Sequence, residues 1–199
     1  MIMNKLATLP LILALAATST ACTRNTDAQV QSASSAQAQT ATSEYDTSMR
    51  VRLVSGGLGV GQPGLHVGQI IEFGTARDEV VAAVSELTGI RGRVVANAEC
   101  PSGPAEHANF GALQLTFEQG RFTGWVLDGP TSPAIESEWG LAIGVARSEI
   151  GDEDQDPVVF TEGSLGTEFD DGGMGGLLTG PGPDARVKTL FAGTTCFAR

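Results

Sequence analysis

Six residues, Gly59-Val60-Gly61-Gln62-Pro63-Gly64, fit the G-x-G-x-x-G spacing of a dinucleotide-binding turn. That chemistry needs a strand before the glycines and a helix directly after them, whose N-terminus holds the pyrophosphate. The run from Met49 to Ser55 reads as the strand, but Pro63-Gly64-Leu65-His66-Val67-Gly68 develops no helical period. Asp78 and Glu79 follow at a distance suited to a ribose contact, yet they fall inside a predicted helix. In a chain with 26 glycines such a match is easily met by chance, so the segment reads as a Gly/Pro turn between two strands, without a nucleotide.

Other residues raise other chemistries. Asp152, Asp154 and Asp156 have the one-three-five spacing of a calcium loop, but Pro157 and Gly163 stand where a Gly and a bidentate Glu are required. A regular EF-hand is excluded; what is left is a weak metal candidate or, on the blander reading, a solvated acidic loop. His66 and His107 are the two histidines, and neither has a second histidine at metal spacing. A His107 base with Ser102 as nucleophile can be drawn, but nearness in sequence is not geometry. Trp125 and Trp139 are candidate partner-binding residues. Trp125 alternates away from Leu113 and Phe117, which would place it on a helix-free sheet face as an interface anchor, against the alternative of a buried core residue. No cofactor and no catalytic residue is assigned.

The elements that would position these residues begin after an export signal. Lys5 precedes an apolar stretch from Leu6 to Ala17, and Thr18-Ser19-Thr20-Ala21-Cys22 supplies small residues before a cut. The apolar stretch is short for a permanent membrane span. Ser-Thr-Ala-Cys resembles the lipobox of bacterial lipoproteins, with Ser19 where Leu is usual, so Cys22 becomes the lipidated first residue. The alternative is ordinary cleavage after Ala21 and a soluble periplasmic protein. Thr23, rather than Asp, resembles the sorting pattern for the periplasmic side of the outer membrane. Residues 22–48 are Ala, Ser, Thr and Gln with almost no large apolar group. They read as a disordered tether whose ends average roughly 25–30 Å apart.

Charge narrows the partners. The chain is formally −11, and loss of residues 1–21 removes one base, leaving 11 Lys and Arg against 23 Asp and Glu, or −12. Such a surface repels phosphate, so nucleic acid is not expected, and membrane attachment has to come through Cys22 rather than a polybasic patch. In an exported chain Cys100 and Cys196 are expected to bridge.

Two stretches echo each other. Ile71 to Val80 (IEFGTARDEV) matches Leu141 to Ile150 (LAIGVARSEI) at an offset of 70. Residues 113–127 (LQLTFEQGRFTGWVL) match 165–179 (LGTEFDDGGMGGLLT) at an offset of 52. Two signals in the same order predict an internal duplication, residues 49–132 and 133–199. The first signal reads as a strand ending at glycine and then a helix, with Thr75 as cap, Val80, Val81, Val84 and Leu87 on one apolar face, and Gly89 as the stop. In the second copy Gly151 and Pro157 shorten the helix. The second signal is a hairpin, turned at Gln119-Gly120 and at Asp171-Gly172. Further strands are predicted over 93–98, 158–162 and 186–197. The expected class is α+β, two tandem helix-plus-antiparallel-sheet modules forming one compact unit.

A strand, then G-x-x-R-x-E-[VI] opening a helix, then Gly-turned hairpins, in an exported lipoprotein, resembles the SmpA/OmlA and β-lactamase-inhibitor-protein group. The resemblance spans about residues 69–199 and implies binding of an envelope protein partner rather than catalysis. One departure stands out: a Cys100–Cys196 bridge would tie one repeat to the other, whereas inhibitor-type modules carry bridges within a module. No functional residue is carried over from the group. A small periplasmic hydrolase-like enzyme and a calcium-dependent binder are the alternative expectations.

Overall fold

The computed structural model describes residues 48–65, 67–151 and 158–196, with the side chain of Trp139 left out. The signal, Cys22, the tether, His66 and the Asp152, Asp154 and Asp156 loop lie outside the described residues.

The chain opens with β1 (Arg50–Val54), β2 (Gly57–Gly61) and β3 (Gln69–Glu72). The glycine loop is therefore strand β2 running into a connection to β3, with no helix after it. Gly59 lies within that strand because Val67 folds back over it; a Cβ there would come within 2.8 Å of the valine methyls. Next come α1 (Arg77–Thr88), then β4 (Arg93–Asn97), β5 (Ala105–Phe110), β6 (Leu113–Glu118) and β7 (Arg121–Asp128). A short β8 (Ile135–Ser137) precedes β9 (Val159–Gly163), β10 (Gly166–Asp171), β11 (Met174–Leu178) and β12 (Val187–Gly193).

These strands build two sheets. One has four strands in the order β3-β2-β1-β8; the other has eight in the order β4-β5-β6-β7-β12-β11-β10-β9. The larger sheet is two four-stranded meanders joined where β7 pairs antiparallel with β12. Helix α1 packs against β1, β5 and β7, and β2 packs against β7, so the helix and the smaller sheet cover one face of the larger sheet. Leu53, Leu58, Val80, Val84, Leu113, Leu115 and Leu190 are wholly buried between them.

The expected α+β class is overturned. Strand is the dominant element of the described residues, which hold twelve strands and a single α-helix. The second copy of the helix signal forms only a 3₁₀ turn at Arg147–Glu149, because Gly151 turns the chain at φ 92° within a few residues. The four-stranded sheet is an element the sequence pattern did not announce. In α1, Gly89 stops the helix at φ 67° as expected, and Val80 and Val84 are buried. Thr75 is not its cap. Its hydroxyl donates to the Glu72 carbonyl at 2.8 Å, its own carbonyl accepts from Phe122, and Ala76 takes the N-cap position without a side-chain bond.

The two echoes fare differently. Gly74 N–H donates to the Phe122 carbonyl at 2.7 Å, and Phe122 N–H returns a bond to Thr75; Gly144 N–H donates to Val187 at 2.8 Å, and Val187 N–H returns one to Val145. Arg121 and Arg186 close each unit by donating to the Gly74 and Gly144 carbonyls at 3.2 Å and 2.9 Å. The first echo therefore marks the same local structure twice, once on β7 and once on β12. The second echo is one strand out of step. It equates the β6–β7 hairpin with β10–β11, whereas by position from the central seam β6 and β7 correspond to β11 and β12. Gly-turned hairpins resemble one another too closely in sequence to set that register. The predicted turn at Asp171-Gly172 is centred one residue later, on Gly172 and Gly173, both with positive φ.

Trp125 is a second correction. Simple alternation puts it on the uncovered face, but a bulge between Thr116 and Phe117 adds one residue to β7 and pairs Trp125 with Leu115. It is fully buried, and its indole N–H donates to the Val54 carbonyl at 3.0 Å, fastening the small sheet to the large one. It is not a surface anchor. Trp125→Phe keeps most of the apolar volume but leaves that carbonyl without its partner. The expected loss is about 1–3 kcal/mol of unfolding free energy, read as a shift in denaturant midpoint at constant slope.

Candidate binding surface

The larger sheet has a second face, turned away from α1 and the small sheet. On it, cross-strand neighbours run Arg93, Asn109, Gln114, Val126, Phe191 and Gly175 from β4 to β11. The reason lies in strand composition. Trp125-Val126-Leu127 and Leu190-Phe191-Ala192 are unbroken apolar runs, the pattern of strands buried on both faces. Trp125, Leu127, Leu190 and Ala192 enter the main core, while Val126 and Phe191 meet Leu177 in a separate apolar cluster on the outer face. Gly175 is required there because a Cβ would meet the Phe191 ring.

This cluster floors a hollow of about 450 Å³ with Val126, Leu177 and Leu165 in its lining. Its rim is polar: Gln114 Nε2 donates to Asn109 Oδ1 at 3.1 Å, Thr189 donates to Asp128 at 3.1 Å, and Lys188 stands beside them. An apolar floor with a few convergent polar groups is the usual make-up of a binding site. These residues were not singled out in the sequence. The apolar triplets at 125–127 and 190–192 were the available signal. A larger hollow of about 780 Å³ lies beside Leu65, Val67 and Ser137. Its Arg52 guanidinium is already occupied by the Leu65 carbonyl at 2.6 Å and by Glu136 at 3.6 Å.

At the end of the same face the fold brings together a disulfide, a histidine and a serine. Cys100 and Cys196 form a disulfide with Cα atoms 4.9 Å apart at a sequence separation of 96. After Gly193 the chain leaves β12 and crosses β7. Thr194 N–H donates to Thr123 at 2.8 Å, and the Thr194 carbonyl lies so close over Gly124 that a Cβ there would collide with it. This strap ends β12 short of the predicted 197 and carries Cys196 to within 3.4 Å of His107 Nε2.

His107 is nearly buried. Asn97 Oδ1 accepts the Glu99 N–H at 2.9 Å, so its amide NH₂ donates to His107 Nε2 at 3.2 Å. That assignment puts the imidazole proton on Nδ1, which donates to Thr116 Oγ1 at 3.3 Å. Burial lowers the His107 pKa below its ordinary value, so the ring is held neutral. Ser102 does not join it: its hydroxyl donates to Glu118 at 2.6 Å and touches Cys100 Sγ at 3.2 Å. The serine–histidine pair drawn from sequence is not formed. Trp139 has its backbone in a 3₁₀ turn (Glu138–Gly140), on the small-sheet side. Among the described residues no group of three or more His, Cys, Asp or Glu is placed to hold a metal ion.

Two outcomes follow from this geometry. Replacing Cys100 and Cys196 by serine frees the strap, and the chain-entropy model puts the loss at about 4–5 kcal/mol; denaturant titration of the oxidised wild type against the double variant measures it. His107 titrates lower in the folded than in the unfolded protein. Its contribution is therefore complete above the ordinary histidine pKa of about 6.5 and is lost as pH falls through the lowered folded value. Unfolding free energy measured from neutral to mildly acid pH falls in the wild type, and the fall is shallower in His107→Gln.

Comparison with protein-family models finds no match for this chain, and comparison with curated proteins finds none. Among solved structures, the chain is similar to that of the uncharacterized protein yfeY from Escherichia coli. The likeness has 11% identity and a TM-score of 0.46, and covers 73% of this chain and 99% of that one.

Proposed function

We propose that this chain is an exported, lipid-anchored module of the bacterial envelope that binds a protein partner through the outer face of its eight-stranded sheet. The observation that carries the reading is the hollow over Val126 and Leu177, an apolar floor inside a polar rim on the part of the outer face that the strap leaves open. A floor of this kind takes an apolar side chain from a partner's loop, and the rim of Gln114, Asp128 and Lys188 orients it. The apolar stretch before Cys22, the Ala/Ser/Thr/Gln tether and the acidic surface agree with an anchored domain held clear of lipid on the periplasmic side of the outer membrane. The disulfide agrees with an oxidising compartment. Binding rather than catalysis is also what the SmpA/OmlA and inhibitor resemblance implies.

A photocrosslinking residue at Lys188 in the natively anchored chain is expected to capture one envelope protein. The same residue at Ile70, exposed on β3 of the small sheet and so on the opposite side of the large sheet, is expected to capture none. Leu165→Glu puts a charge beside the floor and is expected to weaken the adduct by about thirtyfold, a loss of about 2 kcal/mol, at an unchanged melting temperature. Cys22→Ser is expected to abolish labelling by a palmitate analogue and to deplete the adduct. Equal capture from both positions, or an adduct indifferent to Leu165→Glu, overturns the reading.

A further inference from the structure

Strand β4 is one edge of the eight-stranded sheet. It pairs with β5 on one side, from Arg93↔Asn109 to Asn97↔Ala105, and with no described strand on the other. Four of its five residues are exposed, including Val94 at 39% and Val95 at 46%. Edges of this length are normally blunted by lysine, proline, a bulge or a covering element, because unpaired N–H and C=O groups recruit another strand. In Arg93-Val94-Val95-Ala96-Asn97 the single charge is Arg93 at the first residue, with no proline and no bulge, and among the described residues no strand covers the edge.

The charges along this edge have a definite order. Arg91 and Arg93 stand at its start and Glu99 just past its end, all three exposed, with Val94 and Val95 between. Neither Arg91 nor Glu99 is drawn into the core. The Glu99 backbone is held by Asn97 Oδ1 and the Gly92 backbone by Ser85 Oγ, which fixes both ends of the edge and leaves the two charged side chains outside. Read backwards, the segment is the complement of itself. An antiparallel copy centred on Val95 sets Val95 against Val95, Arg93 against Asn97, and Arg91 against Glu99, each cross pair twice. A parallel copy sets like charge against like. A two-fold axis midway between the two Val95 residues and normal to the sheet also keeps core-side residues with core-side residues and outer with outer, so the large sheets of the two copies continue as one.

We infer that β4 is a self-association edge, whose occupant is the β4 of a second copy of this chain, paired antiparallel about Val95. The arrangement closes at two copies and leaves the outer-face hollow free, so it does not rest on the binding role proposed for that face.

Sedimentation equilibrium of the purified full chain, with the Cys100–Cys196 bridge intact, is expected to give a dimer. Arg91→Glu replaces two attractive pairs by two repulsive ones and is expected to raise the dissociation constant at least about tenfold. The double variant Arg91→Glu with Glu99→Arg restores both pairs and is expected to return it to within about threefold of wild type. Val95→Cys is expected to form an intermolecular disulfide on air oxidation, since facing residues of an antiparallel pair stand about 4.5–5.5 Å apart, within disulfide reach. A wild-type chain that is monomeric at every concentration overturns the inference. So does a species larger than a dimer, a dimer indifferent to Arg91→Glu, or a double variant that is not rescued.

Discussion

The antiparallel seam between β7 and β12 is the contact on which the rest of the structure depends. It joins Gly124–Asp128 to Thr189–Gly193, segments far apart in sequence, and turns two four-stranded meanders into one sheet. Long-range pairing of this kind carries a large loop-closure cost. The chain offsets it with apolar triplets that bury side chains on both faces of the seam, Trp125-Val126-Leu127 against Leu190-Phe191-Ala192. The disulfide then ties the strap that leaves β12 to the β4–β5 hairpin, so the last strand is held at both ends.

Everything on the core side is hung from that seam. The twin units at Gly74 and Gly144 dock on β7 and β12 through the same backbone bonds, each closed by an arginine. Only the first unit continues into a helix; in the second, Gly151 ends it after one turn. The small sheet is fastened by the Trp125–Val54 bond, and β8, although late in sequence, pairs parallel with β1. The Arg77 guanidinium, bonded twice to Glu106 at 2.7 and 2.8 Å, ties the start of α1 to β5.

The outer face owes its character to what the core did not take. Val126, Leu177 and Phe191 are left over by alternation, and Gly124 and Gly175 let neighbouring groups close over the sheet. The strap covers one end of this face and removes His107 from solvent, which makes a neutral, hydrogen-bonded ring out of the chain's most reactive-looking side chain. The hollow at its centre stays open, and the edge at β4 stays unpaired.

Local patterns were legible in the sequence wherever nearby residues decide them. The apolar face of α1 and its glycine stop, the hairpin at Gln119-Gly120, strands near 93–97 and 159–163, the strand-to-strand setting of the glycine-rich segment and the pairing of Cys100 with Cys196 were all readable from spacing and composition. The first echo was readable too, because a glycine at positive φ recurs where the same backbone bonds recur. What only the tertiary structure decided depends on partners distant in sequence. A single bulged residue at Thr116–Phe117 reversed the face of Trp125, since a strand's period of two converts one inserted residue into a full exchange of sides. The fold class turned on a helix that one glycine cut to a 3₁₀ turn and on a second sheet assembled from the first three strands and β8, which lies between the two meanders in sequence. The outer-face hollow exists only because two meanders meet at a seam, and no spacing within either strand encodes which strand lies beside it.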